Sequence, residues 1–297
     1  SIAIEQKSPS PIYLNYKLDL DVKGLTVIST NGNLTIQTFL PYQDGDNIYI
    51  SDYEEGVTLI QAKFLLEIVK RLESDTVTVD IIDEVIVDIS DNYSKFRLNA
   101  LKAEDYPQVD FELKGQIIEM DGETFKNIIN QTSFAAATKE NARQTLLGIN
   151  MTSHGNEIDF TAADNSRLAR KTYHADKEYD FSVTVPSKTI TEVAKLIDGG
   201  KITLSIEENK IIFRYGDTKI YSRLIEGKYE FTKKYGNIAP NYVLQAKSDL
   251  LISAIQKATL FAIEKINVVT LAVSEDECHL SSSTVQVGSA DISLSEY

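Results

Sequence analysis

Lys63 and Lys70 stand seven residues apart, and Lys188 and Lys195 repeat the spacing. On a helix turning about 100° per residue, each pair lies opposite the apolar stripe of its own segment. Such a row suits two uses. It is a solvated outer face, or it is a line of cations that follows phosphates without reading bases. Glu67 and Glu192 share the face and dilute its charge. Amides occupy the matching outer positions of two other segments: Asn127, Asn130 and Gln131, then Ser253, Gln256 and Lys257. Uncharged amides fit ordinary helix surface or loose, water-mediated backbone contact. Asp164 and Arg167, three residues apart, read as an ion pair inside a turn before they read as a catalytic loop. His154, His174 and His279 lack metal-ligand spacing. Cys278 adjoins His279, but neighbours on a strand face opposite ways, which prevents a nucleophile–base pair. No Gly-rich phosphate loop appears, and the carboxylates form no recognisable acid–base couple. The residue types argue against an enzyme, a metal site or a cofactor site.

The elements that carry these residues recur along the chain. Segment 62–73, AKFLLEIVKRLE, aligns without a gap with 187–198, SKTITEVAKLID. Lys63 matches Lys188, Glu67 matches Glu192 and Lys70 matches Lys195. The apolar stripe Leu65, Ile68, Val69 and Leu72 matches Ile190, Val193, Ala194 and Ile197. A second family of copies joins 125–136, FKNIINQTSFAA, to 251–262, LISAIQKATLFA. The period of about 125 residues is domain-sized, so one α+β module is used more than twice. Alternation predicts paired strands over 11–41 and strands at 76–101, 145–152, 157–163, 167–174, 201–206, 210–215, 218–225, 242–246, 268–273 and 278–282. Apolar periodicity predicts helices over 61–74, 121–136, 187–198 and 248–264. Charged or Pro-bearing stretches at 102–115 and 228–241 read as linkers. The expected modules are 1–106, without its first helix, 107–235, and the front part of a third at 236–297. By this comparison roughly 20 residues are expected before the first module and roughly 60–70 after the last.

The chain has 297 residues, a net charge of -14, an apolar share of 42% and one cysteine. One cysteine rules out an intrachain disulfide and fits a reducing cytoplasm. No apolar run is long enough for a membrane span. The start lacks a signal-peptide pattern. An acidic total argues against nucleic-acid binding. What counts at a phosphate backbone, however, is the local field within about 8–10 Å. An acidic chain can therefore still present a basic face.

The segment DFTAADNSRLAR, 159–170, together with TLLGI, 145–149, resembles the middle domain of the bacterial sliding clamps, the beta subunits of DNA polymerase III. Asp164, Arg167, Leu168 and Ala169 keep that family's pattern. Ala163 stands where the family usually carries Thr, and Ser166 where it usually carries His. Arg143 ahead of Leu146-Leu147-Gly148, SRLIEGKY at 222–229 and SDLLISAIQKATLFAIEKI at 248–266 extend the match in order across the chain. The resemblance implies an α+β fold of repeated clamp domains, with helices on the inner face and antiparallel sheets outside. It implies a two-protomer ring, when the protein is full length, around double-stranded DNA bound without sequence preference. The ring would tether the replicative polymerase, would meet polymerase and clamp loader through short peptide motifs, and would catalyse nothing. By the same resemblance Lys63, Lys70, Arg71, Lys126, Asn130, Gln131, Arg143, Lys188, Lys195 and Lys257 face DNA. Leu146, Ala163, Asn165, Ser166, Arg167, Leu168 and Pro240 belong to a partner-peptide pocket. Leu260 and Phe261 lie at the protomer interface. The competing reading is an acidic, β-rich adhesive repeat protein without DNA binding.

Overall fold

The computed structural model describes residues 3–4, 10–82, 85–139, 142–230, 241–262, 268–284 and 287–297. It divides the chain into two compact bodies, 1–234 and 235–297. The first module contributes β1 (Asn15–Asp21), β2 (Gly24–Thr30), β3 (Leu34–Pro41), the short β4 (Gln43–Asp44) and β5 (Asn47–Ile48), β6 (Gly56–Gln61), α1 (Ala62–Val69), β7 (Thr78–Ile82), β8 (Ile86–Ser90) and β9 (Lys95–Leu101). The second follows with β10 (Gln116–Asp121), α2 (Gly122–Thr132), β11 (Gly148–Ala163), β12 (Leu168–Tyr179), β13 (Ser182–Pro186), α3 (Ser187–Leu196), β14 (Lys201–Ile206), β15 (Lys210–Tyr215) and β16 (Thr218–Arg223). The second body holds α4 (Ser248–Thr259), β17 (Thr270–Val273), β18 (Cys278–Thr284) and β19 (Gly288–Ser293).

The repeat is structural as well as sequential. β6, α1, β7, β8 and β9 recur in order as β13, α3, β14, β15 and β16. β7–β8–β9 and β14–β15–β16 are both antiparallel meanders. Among the described residues, an eleven-stranded sheet runs β10-β14-β15-β16-β3-β2-β1-β6-β9-β8-β7. It crosses the module boundary where β16 pairs with β3, from Thr218 opposite Thr38 to Ser222 opposite Leu34. A main-chain ladder thus welds the two modules together and leaves neither of these strands as a bare edge. A second sheet, β12-β11-β13, completes the second module.

The core of that module lies between the sheets and the α2–α3 pair. Phe125 of α2 is fully buried, and its ring stands 6.1 Å from that of Phe213. Ile129, Ile190, Val193, Phe160 and Met151 close the same cluster. Each such side chain contributes about 1.5–3 kcal/mol by leaving water. Asp121 caps α2 by accepting the Thr124 N–H at 2.8 Å. Gly122 N–H donates to Gly200 O at 2.7 Å, fixing the start of α2 against the turn after α3.

Several expectations are corrected. The first helix stops at Val69, and the Glu73 N–H beyond it turns to the Asp91 carboxylate at 3.2 Å. Val69, expected in the buried stripe, is 53% exposed. The strands expected at 145–152 and 157–163 are one strand, β11, irregular at Gly155, while Gln144–Leu147 form a 3-10 turn. Residues 242–246 form no strand. The last helix ends at Thr259, and β6, β10, β13 and β19 fall where no strand was expected.

Candidate nucleic-acid and partner-binding surfaces

Lys63 lies in α1 and Lys70 is its C-cap, while the matching Lys188 and Lys195 both lie in α3. Lys63 and Lys70 are exposed, as are Lys188 and Lys195. Among the described residues, Lys63, Lys70 and Lys188 engage no carboxylate in an ion pair. The acids on the same faces are partly neutralised. Arg71 bonds to Glu67, and its guanidinium holds that carboxyl below the usual range. Lys195 pairs with Glu192 at 2.6 Å. The pairs leave the summed charge of each face unchanged, and of the four lysines Lys195 alone is shared with a carboxylate among the described residues.

On α2, Asn127, Asn130 and Gln131 are exposed, because Phe125, Ile128 and Ile129 take the inner face. Asn127 and Gln131 line an open groove with Lys171 and His174 of β12. Lys126 differs from the other cations. Its ammonium donates to Ile197 O at 3.0 Å and lies 3.6 Å from Glu123. Half-buried, it ties α2 to the carboxyl end of α3, where a cation meets unsatisfied carbonyls. Arg143 is exposed and paired with Glu230 at 3.0 Å. Lys257 is exposed on α4 beside Gln256.

The Asp164–Leu168 segment forms the β11–β12 turn. Asp164 Oδ1 accepts the N–H groups of Ser166 at 2.8 Å and Arg167 at 3.0 Å, and Oδ2 accepts Arg167 Nε at 3.1 Å. Those donors, the Ser166 N–H foremost, hold the Asp164 carboxyl below its usual range. The carboxylate thus shapes the turn, as the spacing suggested. The Arg167 guanidinium lies over the Phe134 ring, 5.7 Å from its centre. Asn165, Ser166, Arg167 and Leu168 are exposed, whereas Ala163 and Leu146 are buried. Leu146 O accepts the Ala137 N–H at 2.8 Å, which holds the 3-10 turn against the chain leaving α2. Pro240 lies outside the described residues.

Phe134 escaped the sequence reading. It is 58% exposed and follows α2 directly. Its signal was its register with Leu260 in the paired segments. Leu260 itself is 69% exposed at the end of α4. Phe261 is half-buried, its carbonyl bonded by the Thr284 hydroxyl and its ring packed beside Gly288. Among the described residues no group of His, Cys, Asp and Glu could hold a metal ion, and no helix is long and apolar enough to cross a membrane.

Residues 1–110 match the N-terminal domain of the DNA polymerase III beta subunit, and residues 119–230 match its central domain. The beta sliding clamp of Halalkalibacterium halodurans is 31% identical over 271 residues, covering 89% of this chain and 69% of its own. That of Bacillus subtilis is 28% identical over 298 residues, covering 96% of this chain and 77% of its own. The crystal structure of the DNA polymerase sliding clamp from Bacillus subtilis superposes with a TM-score of 0.91 at 26% identity, over 99% of this chain and 79% of that one. With repeated modules, lysine rows in register and relatives of this similarity, the chain belongs to the family of beta sliding clamps, the beta subunits of DNA polymerase III.

Proposed function

We propose that α1 and α3 face duplex DNA within a ring and that the Asp164–Leu168 turn receives peptides from polymerase and clamp loader. Membership of the family makes the chain a processivity factor without catalysis of its own. The observation that carries the residue assignment is the recurrence of Lys63 at Lys188 and Lys70 at Lys195, exposed on helices that are equivalent in two modules. Neither helix carries a base-reading module, so contact is to phosphates, independent of sequence and weakened by salt. Arg71 and the amides Asn130 and Gln131 join this surface, and Lys257, exposed on α4 of the second body, is assigned to DNA contact by the same family resemblance. Lys126 supports it by joining α2 to α3, and Arg143 lies at its margin.

Arg167, Leu168, Asn165 and Ser166 form the rim of the peptide site, with Leu146 and Ala163 as its floor. Phe134 extends the apolar part of that surface. Leu260 and Phe261 supply apolar contact between protomers of the full-length dimer. Modules at 1–106, 107–235 and 236–297, and a place in the bacterial cytoplasm, complete this reading. Topology tests it. The full-length protein, loaded on nicked circular DNA, is retained through gel filtration and released once the circle is cut. Equal retention on linear DNA would mean ordinary binding and would reject the ring.

A further inference from the structure

The connection between β3 and β6 differs between the modules. In the second module its counterpart, between β12 and β13, consists of Asp180 and Phe181 alone. In the first it runs through residues 42–55 and folds into the β4–β5 hairpin. The rings of Tyr42 and Tyr53 stack at its base, 3.9 Å apart, and the Tyr42 hydroxyl donates to Asp21 O. This clamp presents the hairpin as one projecting piece. It exposes apolar side chains: Ile48 is 70% exposed, with Tyr49 and Tyr53 about half exposed. Val22, next in the chain to Asp21, is open as well.

Apart from Lys23 beside Val22, the charge around these apolar residues is acidic. Asp44, Asp46, Asp52, Glu54 and Glu55 are all exposed. No Lys or Arg occurs between Lys23 and Lys63. Among the described residues none of these five carboxylates forms an ion pair. The hairpin also stands at the end of β6 remote from α1, about 17 Å along the strand at ~3.3 Å per residue. The acidic hairpin and the lysine row thus occupy opposite ends of one strand.

We propose that this hairpin is a docking surface for a basic amphipathic peptide segment of another protein. Charge complementarity selects the occupant. Unpaired carboxylates repel a polyphosphate and attract Lys and Arg, and they raise the rate of encounter with a basic segment. The apolar side of that segment packs on Ile48, Tyr49 and Tyr53, because exposed aromatic side chains supply large contact area at low entropic cost. The surface shares no residue with the lysine helices or with the Asp164–Leu168 turn, so a protein docked here leaves both free.

The test uses the full chain and a fluorescein-labelled amphipathic Leu–Lys peptide, read by fluorescence anisotropy. A Gly–Lys peptide of the same charge is the control. The Leu–Lys peptide binds and protects residues 42–55 from hydrogen exchange, and the Gly–Lys peptide binds at least about tenfold more weakly. Ile48→Ser with Tyr49→Ser, and separately Asp44→Lys with Asp46→Lys, each weaken binding by about tenfold or more. All four side chains are exposed, so circular dichroism and melting temperature stay at parent values. Protection elsewhere in the chain, equal binding of the two peptides, or unchanged affinity in both variants would overturn the proposal.

Discussion

Gly122 begins α2 at its closest approach to the end of α3, and Gly122→Ala sets two effects against each other. The backbone there is not in the left-handed region, so alanine is conformationally acceptable. Reduced freedom of the unfolded chain would then stabilise the protein by about 0.4–1 kcal/mol. The space argues the other way. A methyl group at Gly122 would fall 2.8 Å from Ile197 Cγ2, 3.0 Å from Gly200 O and 3.1 Å from Gly199 O. None of these atoms is the loose end of a flexible side chain. Ile197 is 1% exposed, and Gly200 O already accepts the Gly122 N–H. Forcing a methyl into such packing costs about 1–3 kcal/mol. The steric effect wins, with a net loss of about 1–2 kcal/mol. Urea unfolding followed by circular dichroism measures it: the midpoint falls and the slope stays constant. A variant as stable as the parent, or more stable, would show that α2 and α3 are not locked at this contact.

Asp88, 1% exposed, receives Arg97 Nε at 2.7 Å, Arg97 Nη2 at 2.8 Å and Lys95 Nζ at 2.9 Å. Arg97 first, then Lys95, holds its carboxyl well below the usual range. A depressed folded value stabilises above the unfolded carboxylate value and is lost as pH falls toward the folded one. Asp88→Asn therefore lowers Tm at neutral pH, and the gap to parent narrows below about pH 4; a gap independent of pH would refute this. Leu168→Ala and Phe134→Ala each weaken binding of a polymerase-derived peptide to the full-length protein by about tenfold with Tm unchanged, as isothermal titration would show. Leu260→Asp in the full-length protein shifts light scattering toward monomer, and an unshifted dimer would remove Leu260 from the interface.

Periodicity located the helices because each packs one face. It showed Lys63, Lys70, Lys188 and Lys195 outward because they stand opposite Ile68 and Val193. It failed where partners decide. Val69 has the apolar type of a stripe residue, but its counterpart Ala194 is buried by a module whose α3 packs on α2, and Val69 has no such cover among the described residues. Residues 153–156 fell between two expected strands, whereas β11 continues through them with a local irregularity at Gly155. The β16–β3 ladder left no local signal, since Thr218 and Thr38 are distant in sequence and their pairing depends on two modules meeting. In the candidate pocket, the Asp164–Arg167 spacing disclosed the turn. It could not disclose that Arg167 lies over Phe134, or that Leu146 sits beneath rather than on the surface.

Processive synthesis on primed circular DNA tests the central claim most directly. The full-length protein carrying Lys63→Glu, Lys70→Glu, Lys188→Glu and Lys195→Glu is compared with one carrying Lys23→Glu and Lys177→Glu, which alters exposed lysines away from α1 and α3. Reversed charge along the two helices repels the phosphates they should follow. The four-lysine variant is predicted to give short products while folding and dimerising like the parent, and the control variant to give parental products. Full-length products from the four-lysine variant would contradict the assignment of α1 and α3 to DNA.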